Sequence, residues 1–131
     1  MPHRIEFDLE HKILLVSHEG EVDGREIEKL GDELRPQLGK LNPSVAISDF
    51  SEATAVEINS QMVRHLAMKD RSSFPPTMRR FIVAPRDYQF GLARMYEMSA
   101  DPPFAALRVV RSRKEALAAL GLRNFKFEKL A

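Results

Sequence analysis

Four groups of polar residues follow short apolar stretches of this sequence, and they are the positions best suited to chemistry. The groups are Ser17-His18-Glu19-Gly20, Asp49-Phe50-Ser51, Pro85-Arg86-Asp87 and Arg111-Ser112. In open α/β sheets, ligands bind beyond the carboxyl ends of the parallel strands. If the apolar stretches are parallel strands, we expect the four groups to lie at one edge of the sheet and to form a site there.

Two interpretations of this edge are open. Arg86, close to a predicted helix start, could bind an anionic group together with the backbone amides of that helix. Alternatively, Asp49 and Ser51 cap their own turn while Arg86 pairs with a neighbouring acid. We favour the second interpretation and keep the three residues as candidate binding positions.

The elements that would position these residues alternate between strands and helices. Residues 4–9 alternate apolar and charged side chains, as in a half-buried strand, and the apolar run at 13–16 is typical of a strand covered on both faces. The spacing of apolar residues predicts a helix at 24–38, capped by Asp23 and ended by Gly39. The full prediction has strands at 4–9, 13–16, 45–48, 80–84 and 107–110 and helices at 24–38, 56–69, 87–98 and 112–120.

Strands separated by single helices imply right-handed parallel crossovers. The sequence therefore predicts an α/β fold of order ββαβαβαβα. Its five-stranded sheet is mostly parallel with an antiparallel first strand, and four helices cover both faces. A length of 131 residues suits one domain, with its core at about 4–122 and a tail at 123–131 that either docks or contacts a partner.

Composition and charge restrict the classes of function. Hydrophobic residues make up 44% and charged residues 30%, as in a globular domain. Neither the apolar run of a signal peptide nor the roughly 18 apolar residues of a membrane span are present, which predicts a cytoplasmic protein. Residues 1–60 carry a net charge of −7 and residues 61–131 one of +8. Either the second half forms a basic face for an anionic ligand or partner, or the fold intersperses the charges.

The sequence contains no motif that defines an enzymatic activity. It has no cysteine, which excludes thiol catalysis and Cys-ligated zinc. Nucleophile-elbow, P-loop and dinucleotide-binding motifs are missing. His11 and His18 flank one strand at odd separation and point to opposite faces, so they cannot chelate one metal together, and His65 is predicted to be solvated or hydrogen-bonded. We expect no catalytic residue, metal or cofactor, although a site assembled from distant residues stays open.

The third predicted helix, which Asp87 would cap, has two different faces. One face is predicted to pack in the core, and it consists of Tyr88, Leu92, Met95 and Tyr96. Phe90 is predicted to project outwards near Arg94, as does Met68 on the second helix. We interpret these positions as contacts for a protein partner or a second copy of the chain.

Two longer stretches resemble the SpoIIAA-like branch of the STAS superfamily, which has the anti-sigma-factor-antagonist fold and many uncharacterised bacterial members. They are RFIVAPRDYQFGLARMYEM at 80–98 and VVRSRKEALAALGL at 109–122. Asp49-Phe50-Ser51 resembles the Asp-Leu-Ser that closes the central strand of STAS domains. The resemblance covers residues 4–122. It implies a STAS-like sandwich and a non-enzymatic regulatory function through binding of a protein partner.

One departure from this family concerns its phosphorylated serine. In phospho-switched STAS proteins, an Asp-Ser-Ser-Gly-like turn follows the strand end, and a partner kinase phosphorylates one of its serines. The same distance from Asp49 leads to Glu57-Ile58-Asn59-Ser60, where Ile58 has no hydroxyl and Ser60 is offset by a residue or two. The resemblance therefore implies polar binding positions at Glu57, Asn59 and Ser60 without the usual switch.

The alternative function is a carrier or sensor of a small apolar ligand or lipid. The lipid-binding SEC14 fold is similar to this class of domain. Candidate residues to line an apolar cavity are Phe50, Met62, Met95 and Met98. We expect no specific nucleic acid as a partner, because the basic residues around position 80 belong to no recognisable module.

Overall fold

The structure of the chain is a computed structural model, and it describes residues 3–100, 104 and 106–130. Six strands and four helices lie within these residues. The strands are β1 (His3–Asp8), β2 (Ile13–Asp23), β3 (Val45–Glu57), β4 (Arg79–Val83), β5 (Leu107–Val110) and β6 (Glu128–Lys129). The helices are α1 (Gly24–Leu41), α2 (Ser60–Ser73), α3 (Asp87–Ser99) and α4 (Arg113–Leu120).

The strands form one sheet in the order β5-β4-β3-β2-β1-β6. The strands from β2 to β5 are parallel, whereas β1 at the edge pairs antiparallel with both of its neighbours, β2 and β6. The mostly parallel α/β sheet with its antiparallel first strand is thereby confirmed. The predicted number of five strands is one too low, because a two-residue strand in the tail pairs with β1.

Alternate residues of β2 contribute to the two layers that cover the sheet. Ile13 and Leu15 pack into the core beneath α4. Leu14 and Val16 point to the opposite face and pack against the leucines of α1. Side chains of α1, α2 and α3 line one cavity on that second face. Helices therefore cover both faces, as expected of a sheet whose strands are apolar on both sides.

The C-terminal tail docks on the α4 side of the sheet. Phe125 and Phe127 pack against the core cluster there. The backbone nitrogen of Lys126 donates to the Asp8 carboxylate over 2.8 Å, and this buried carboxylate also accepts from the backbone nitrogen of His11 at 2.9 Å. Of the two possibilities that the sequence leaves open for the tail, the structure shows docking.

Charges from the acidic first half and the basic second half lie next to one another in space. Lys69 on α2 lies 3.1 Å from a carboxylate oxygen of Glu28 and 2.8 Å from one of Asp32, both on α1. His65 of α2 also contacts Glu28. The fold therefore intersperses these charges, and the uneven distribution along the sequence does not by itself indicate a basic face.

The second predicted helix begins too early. Residues 50–57 continue β3, where they pair with residues 19–23 of β2 in a parallel ribbon that extends past β1 and β4. Helix α2 starts only at Ser60, after Asn59, whose side chain accepts from the backbone nitrogen of Met62 at 2.8 Å. Pairing with β2 outweighs the helical spacing of the apolar residues in this segment. Hydrogen bonds between the two strands satisfy the backbone N–H and C=O groups of the segment.

Two helix ends also differ from the prediction. Helix α1 continues past Pro36 and Gly39 to Leu41, and it ends at Asn42, which adopts the left-handed conformation with φ 47°. Helix α3 takes Arg86 as its N-cap, so that Asp87 is its first residue. None of the described helices is long and apolar enough to cross a membrane.

We predict opposite effects on stability for two glycine substitutions in α1. A β-carbon added at Gly24 would lie 2.5 Å from Cγ of Met62, whereas one added at Gly31 would meet no atom within 4 Å. Gly24→Ala should therefore lower the free energy of unfolding by about 1 kcal/mol through overpacking. Gly31→Ala should raise it by roughly 0.5–1 kcal/mol, because alanine favours the helix. Urea denaturation of both variants measures this difference, and equal effects would contradict the close contact between α1 and α2.

Candidate functional site

A hydrogen-bonded group of side chains ties α4 to the interior of β2 and β3, at the level where β4 ends. We call it the strand-end network, and it consists of Ser17, Asp49, Ser51 and Arg113. Because β2 continues to Asp23 and β3 to Glu57, the prediction that residues 17–20 and 49–51 follow the ends of these strands is wrong. Arg113 donates from Nε to Asp49 Oδ2 at 2.7 Å and from Nη2 to Ser17 Oγ at 3.1 Å. The other Asp49 oxygen accepts from the backbone nitrogen of Ser51 at 2.8 Å and from its hydroxyl at 2.5 Å. Asp49 and Ser51 thus bond to each other within β3, where its pairing register with β2 shifts, and the turn that they were expected to cap is not formed.

Sequence reasoning missed Arg113 as a member of this network. One signal was available. Arg113 is the first residue of α4, after the Ser112 cap, and a cation there is unfavourable next to the positive end of the helix dipole. Such a placement indicates a nearby carboxylate, which here is the buried Asp49.

Arg86 and Gln89 hold the part of β3 that extends beyond β4. Arg86 donates from Nη1 to the carbonyl oxygen of Ala53 at 2.5 Å. Gln89 is buried, and its Nε2 lies 3.4 Å from the carbonyl oxygen of Phe50 and 3.5 Å from that of Ala53. These side chains supply hydrogen-bond donors that a neighbouring strand would otherwise supply along this open edge. Arg86 therefore contacts a backbone carbonyl, and the acidic neighbour expected for it is not observed among the described residues.

The predicted core face of α3 is correct for Leu92 and Tyr96, which line the cavity on the sheet side, and wrong for Tyr88 and Met95. The residues that α3 buries are Gln89 and Ala93. Tyr88, Met95 and Met98 are 45%, 39% and 67% exposed, respectively. Helix α3 packs Gln89 and Ala93 against the sheet because Gln89 must reach the open edge of β3.

Phe90 is also placed differently from the prediction. It is half-buried and packs against the cluster formed by Ile82, Ala84 and Ala93. The guanidinium of Arg111 stacks over its ring at 4.0 Å. Arg94, predicted beside it, is exposed and pairs with Glu97 at 2.9 Å. Phe90 thus contacts Arg111, and Arg94 pairs with Glu97.

The predicted positions at the start of α2 are exposed, and they lie at the carboxyl end of β3. Glu57 is the last residue of the strand, Asn59 is the helix cap, and Ser60 is the first residue of the helix. The side-chain oxygen of Asn59 is occupied by the cap. The hydroxyl of Ser60 is thus the polar group that this turn presents beside the carboxylate of Glu57.

An apolar cavity of about 120 Å³ lies between the sheet and helices α1 to α3. Phe50 lines it, as predicted, and His18 stacks on the Phe50 ring with centroids 4.2 Å apart. Burial lowers the pKa of His18 to about 4, with a further reduction from His3 and an opposing effect from Asp49. The histidine is therefore neutral at physiological pH.

The predicted methionines do not form this cavity. Met95 and Met98 are exposed on the outer side of α3, and Met62 packs towards Gly24 instead. Branched aliphatic side chains of α2 and β3 take their place. Among the residues that the structure describes, no three His, Asp or Glu side chains lie close enough together to hold a metal ion.

Comparisons with known proteins identify the architecture. No protein-family model matches the chain, and no curated protein matches it by sequence. A solved structure of the anti-sigma factor antagonist SpoIIAA in its unphosphorylated form aligns over 91% of this chain and 97% of its own, with a TM-score of 0.58 and 13% identity. The chain has the SpoIIAA-like fold.

Two further structures agree with this result. The phosphorylated form of SpoIIAA from Bacillus covers 90% of this chain and 98% of its own, with a TM-score of 0.58 and 14% identity. An uncharacterised DUF3478-family protein with a SpoIIAA-like fold, from Shewanella loihica PV-4, covers 90% and 91%, with a TM-score of 0.57 and 17% identity. The predicted SpoIIAA-like fold is confirmed. At these identities the likeness concerns the fold alone, and it gives no support to a SEC14-like lipid carrier.

We predict that the strand-end network stabilises the fold. Arg113→Ala would leave the buried Asp49 carboxylate without its cationic partner. Because Arg113 itself is partly exposed, the expected loss in free energy of unfolding is about 2 kcal/mol, below the value for a fully buried pair. Arg94→Ala, which removes an exposed pair with Glu97, should cost less than about 0.5 kcal/mol. Chemical denaturation of both variants tests this, and equal losses would contradict the role of Arg113.

We also predict a pH dependence of stability caused by His18. Its pKa is about 4 in the folded chain against 6.5 when unfolded, so protons bind the unfolded state more strongly between these values. Stability should fall by about 3 kcal/mol as the pH decreases from 6.5 to 4. His18→Gln should remove this part of the pH dependence. Unfolding curves at half-unit pH intervals give the comparison, and parallel profiles for the two proteins would refute the assignment.

Proposed function

We propose that this chain is a non-enzymatic regulatory domain that acts by binding a protein partner. Its fold is shared with SpoIIAA, which is an anti-sigma factor antagonist. The polar residues Asp49, Ser51, Arg86 and Arg113 are engaged with one another and with backbone carbonyls. The Ser51 hydroxyl does contact the Asp49 carboxylate, but that carboxylate is already held by Arg113.

The observation that carries this proposal is an apolar stripe on the outer side of α3. We call it the α3 stripe, and it consists of Tyr88, Met95 and Met98, all of them exposed. These positions are seven and three residues apart and so lie along one side of the helix. Exposed apolar side chains that share one side of a helix are suited to an interaction surface, and methionine adapts readily to a partner's shape.

Exposed polar groups on α2 and α3 would orient the partner. Helices α2 and α3 both connect parallel strands, so both begin at the carboxyl edge of the sheet. Glu57 and Ser60 are exposed at the start of α2, and Arg94 is exposed beside Met95. We propose that these three residues form the polar rim. Asp49, Asn59 and Arg86 shape the backbone below the rim through their hydrogen bonds, and Phe90 supports α3 from the sheet side.

Site-specific photo-crosslinking in the source cells tests this function. A benzophenone amino acid at Tyr88 or Met95 should give one discrete adduct, which mass spectrometry identifies. The same group at Leu9, which is 76% exposed on the β1–β2 turn, should give none. An adduct of twice the chain mass would identify a second copy as the partner. Tyr88→Asp and Met95→Asp should each weaken the complex at least about tenfold, whereas Leu9→Asp should not.

Two results would refute the proposal. One is crosslinking at Leu9 that equals crosslinking at Tyr88, since binding would then not involve the α3 stripe. The other is turnover on a substrate panel that is lost when Ser51 or Arg86 is altered, because the edge of the sheet would then be an active site.

A further inference from the structure

The cavity between the sheet and helices α1 to α3 has walls that consist mainly of apolar side chains. The helices, the sheet and the segment between β3 and α2 all contribute to them. Examples are Ile27 of α1, Ile58 after β3, Val63 and Leu66 of α2, Ile82 of β4 and Ala93 of α3. A molecule inside the cavity would therefore meet apolar side chains from several directions, as in most small-molecule sites.

Ring side chains complete these walls, and two of them are stacked. His18 of β2 and Phe50 of β3 both line the cavity, and their rings are nearly parallel with centroids 4.2 Å apart. Because burial lowers the pKa of His18 to about 4, this part of the wall is uncharged at physiological pH. Aromatic rings favour contact with a further apolar ring.

The charged residues of the wall are bound to one another. Arg80 donates from Nη2 to the Tyr96 hydroxyl at 2.7 Å, and that hydroxyl donates to Oδ2 of Asp70 at 2.6 Å. The opposite charges of Arg80 and Asp70 thus lie on either side of one hydroxyl group and compensate each other. A charged ligand would lose its hydration on entering the cavity, and it would bring its charge next to one of the same sign.

The size of the cavity limits the ligand to a single ring. Its volume of about 120 Å³ is close to that of engineered apolar cavities of about 150 Å³, which bind benzene. A ligand would therefore have on the order of six or seven non-hydrogen atoms. A ring of this size has few rotatable bonds, so it loses little conformational entropy on binding. A lipid with a long acyl chain would not fit.

We propose that this cavity is a binding site for a small, uncharged, apolar ring compound of the size of benzene or toluene. The ring lies between Leu66 of α2, Ile82 of β4 and Ala93 of α3, and it makes apolar contacts alone. The site is on the sheet side of α3, whereas the α3 stripe is exposed to solvent. It does not rest on the proposed function, because the ligand and the partner would contact different sides of the helix.

Titration of the full chain with three compounds that share one ring tests this site. Toluene is neutral, benzylammonium carries a positive charge and benzoate carries a negative one. In two-dimensional NMR, toluene should shift the signals of cavity residues in a saturable manner and give intermolecular contacts to the methyl groups of Val63, Leu66 and Ile82. Its dissociation constant should be on the order of 0.1–1 mM. Each charged compound should bind at least about tenfold more weakly, because its charge loses hydration in the cavity.

Two matched alanine-to-leucine variants locate the site. Ala93 is buried and lines the cavity, so Ala93→Leu fills the space and should abolish the binding of toluene. Ala118 is exposed on α4, which covers the other face of the sheet. Ala118→Leu should therefore leave the affinity for toluene unchanged.

Three outcomes on the unaltered chain would overturn the proposal, so it does not depend on any variant folding. The first is the absence of saturable shifts in cavity residues with toluene. The second is a set of intermolecular contacts confined to Tyr88, Met95 and Met98, which would place toluene on the α3 stripe. The third is equal affinity for toluene and either charged compound. Crosslinking to a partner is measured without any of these compounds, so failure of this site and failure of the proposed function are distinguishable.

Discussion

The parallel pairing of β2 with β3 is the constraint on which the rest of this structure depends. It continues from Ile13 opposite Val45 to Asp23 opposite Glu57, well past the ends of β1 and β4. Because β3 runs on to Glu57, α2 begins late and its Asn59 cap lies far along the strand from Asp49. The extended part of β3 also exposes an open edge, and an unpaired strand edge requires hydrogen-bond partners from elsewhere.

The need to satisfy this open edge explains which hydrogen bonds the polar residues beside it form. Arg86 and Gln89 satisfy the open edge of β3, and Arg113 neutralises the buried Asp49. These groups resemble a binding site in the sequence, yet the hydrogen bonds they form belong to the fold. Since Gln89 faces the sheet, the apolar residues on the other side of α3 face the solvent. The surface available for a partner is thus a consequence of the way the edge is satisfied.

Helices α2 and α3 have different chemistry on their two sides. Their inner sides enclose a cavity with a charged cluster, where Tyr96 separates Arg80 from Asp70. The cluster was not predicted, since its members are 10 to 26 residues apart and carry no motif. Apolar spacing did predict a stripe on α3, but periodicity alone cannot tell whether such a stripe meets a core or the solvent.

The sequence by itself determined the class of fold, the parallel sheet, the hairpin of β1 with β2, and α4 with its Ser112 cap. These features follow from local rules: alternation, helical spacing and capping each act within a few residues. Only the tertiary structure decided the length of β3, the orientation of α3, and the contacts of Asp49 and Arg80. Each of these depends on hydrogen bonds and packing between residues that are distant in the chain. A local sequence pattern carries no information about the free energy of such contacts.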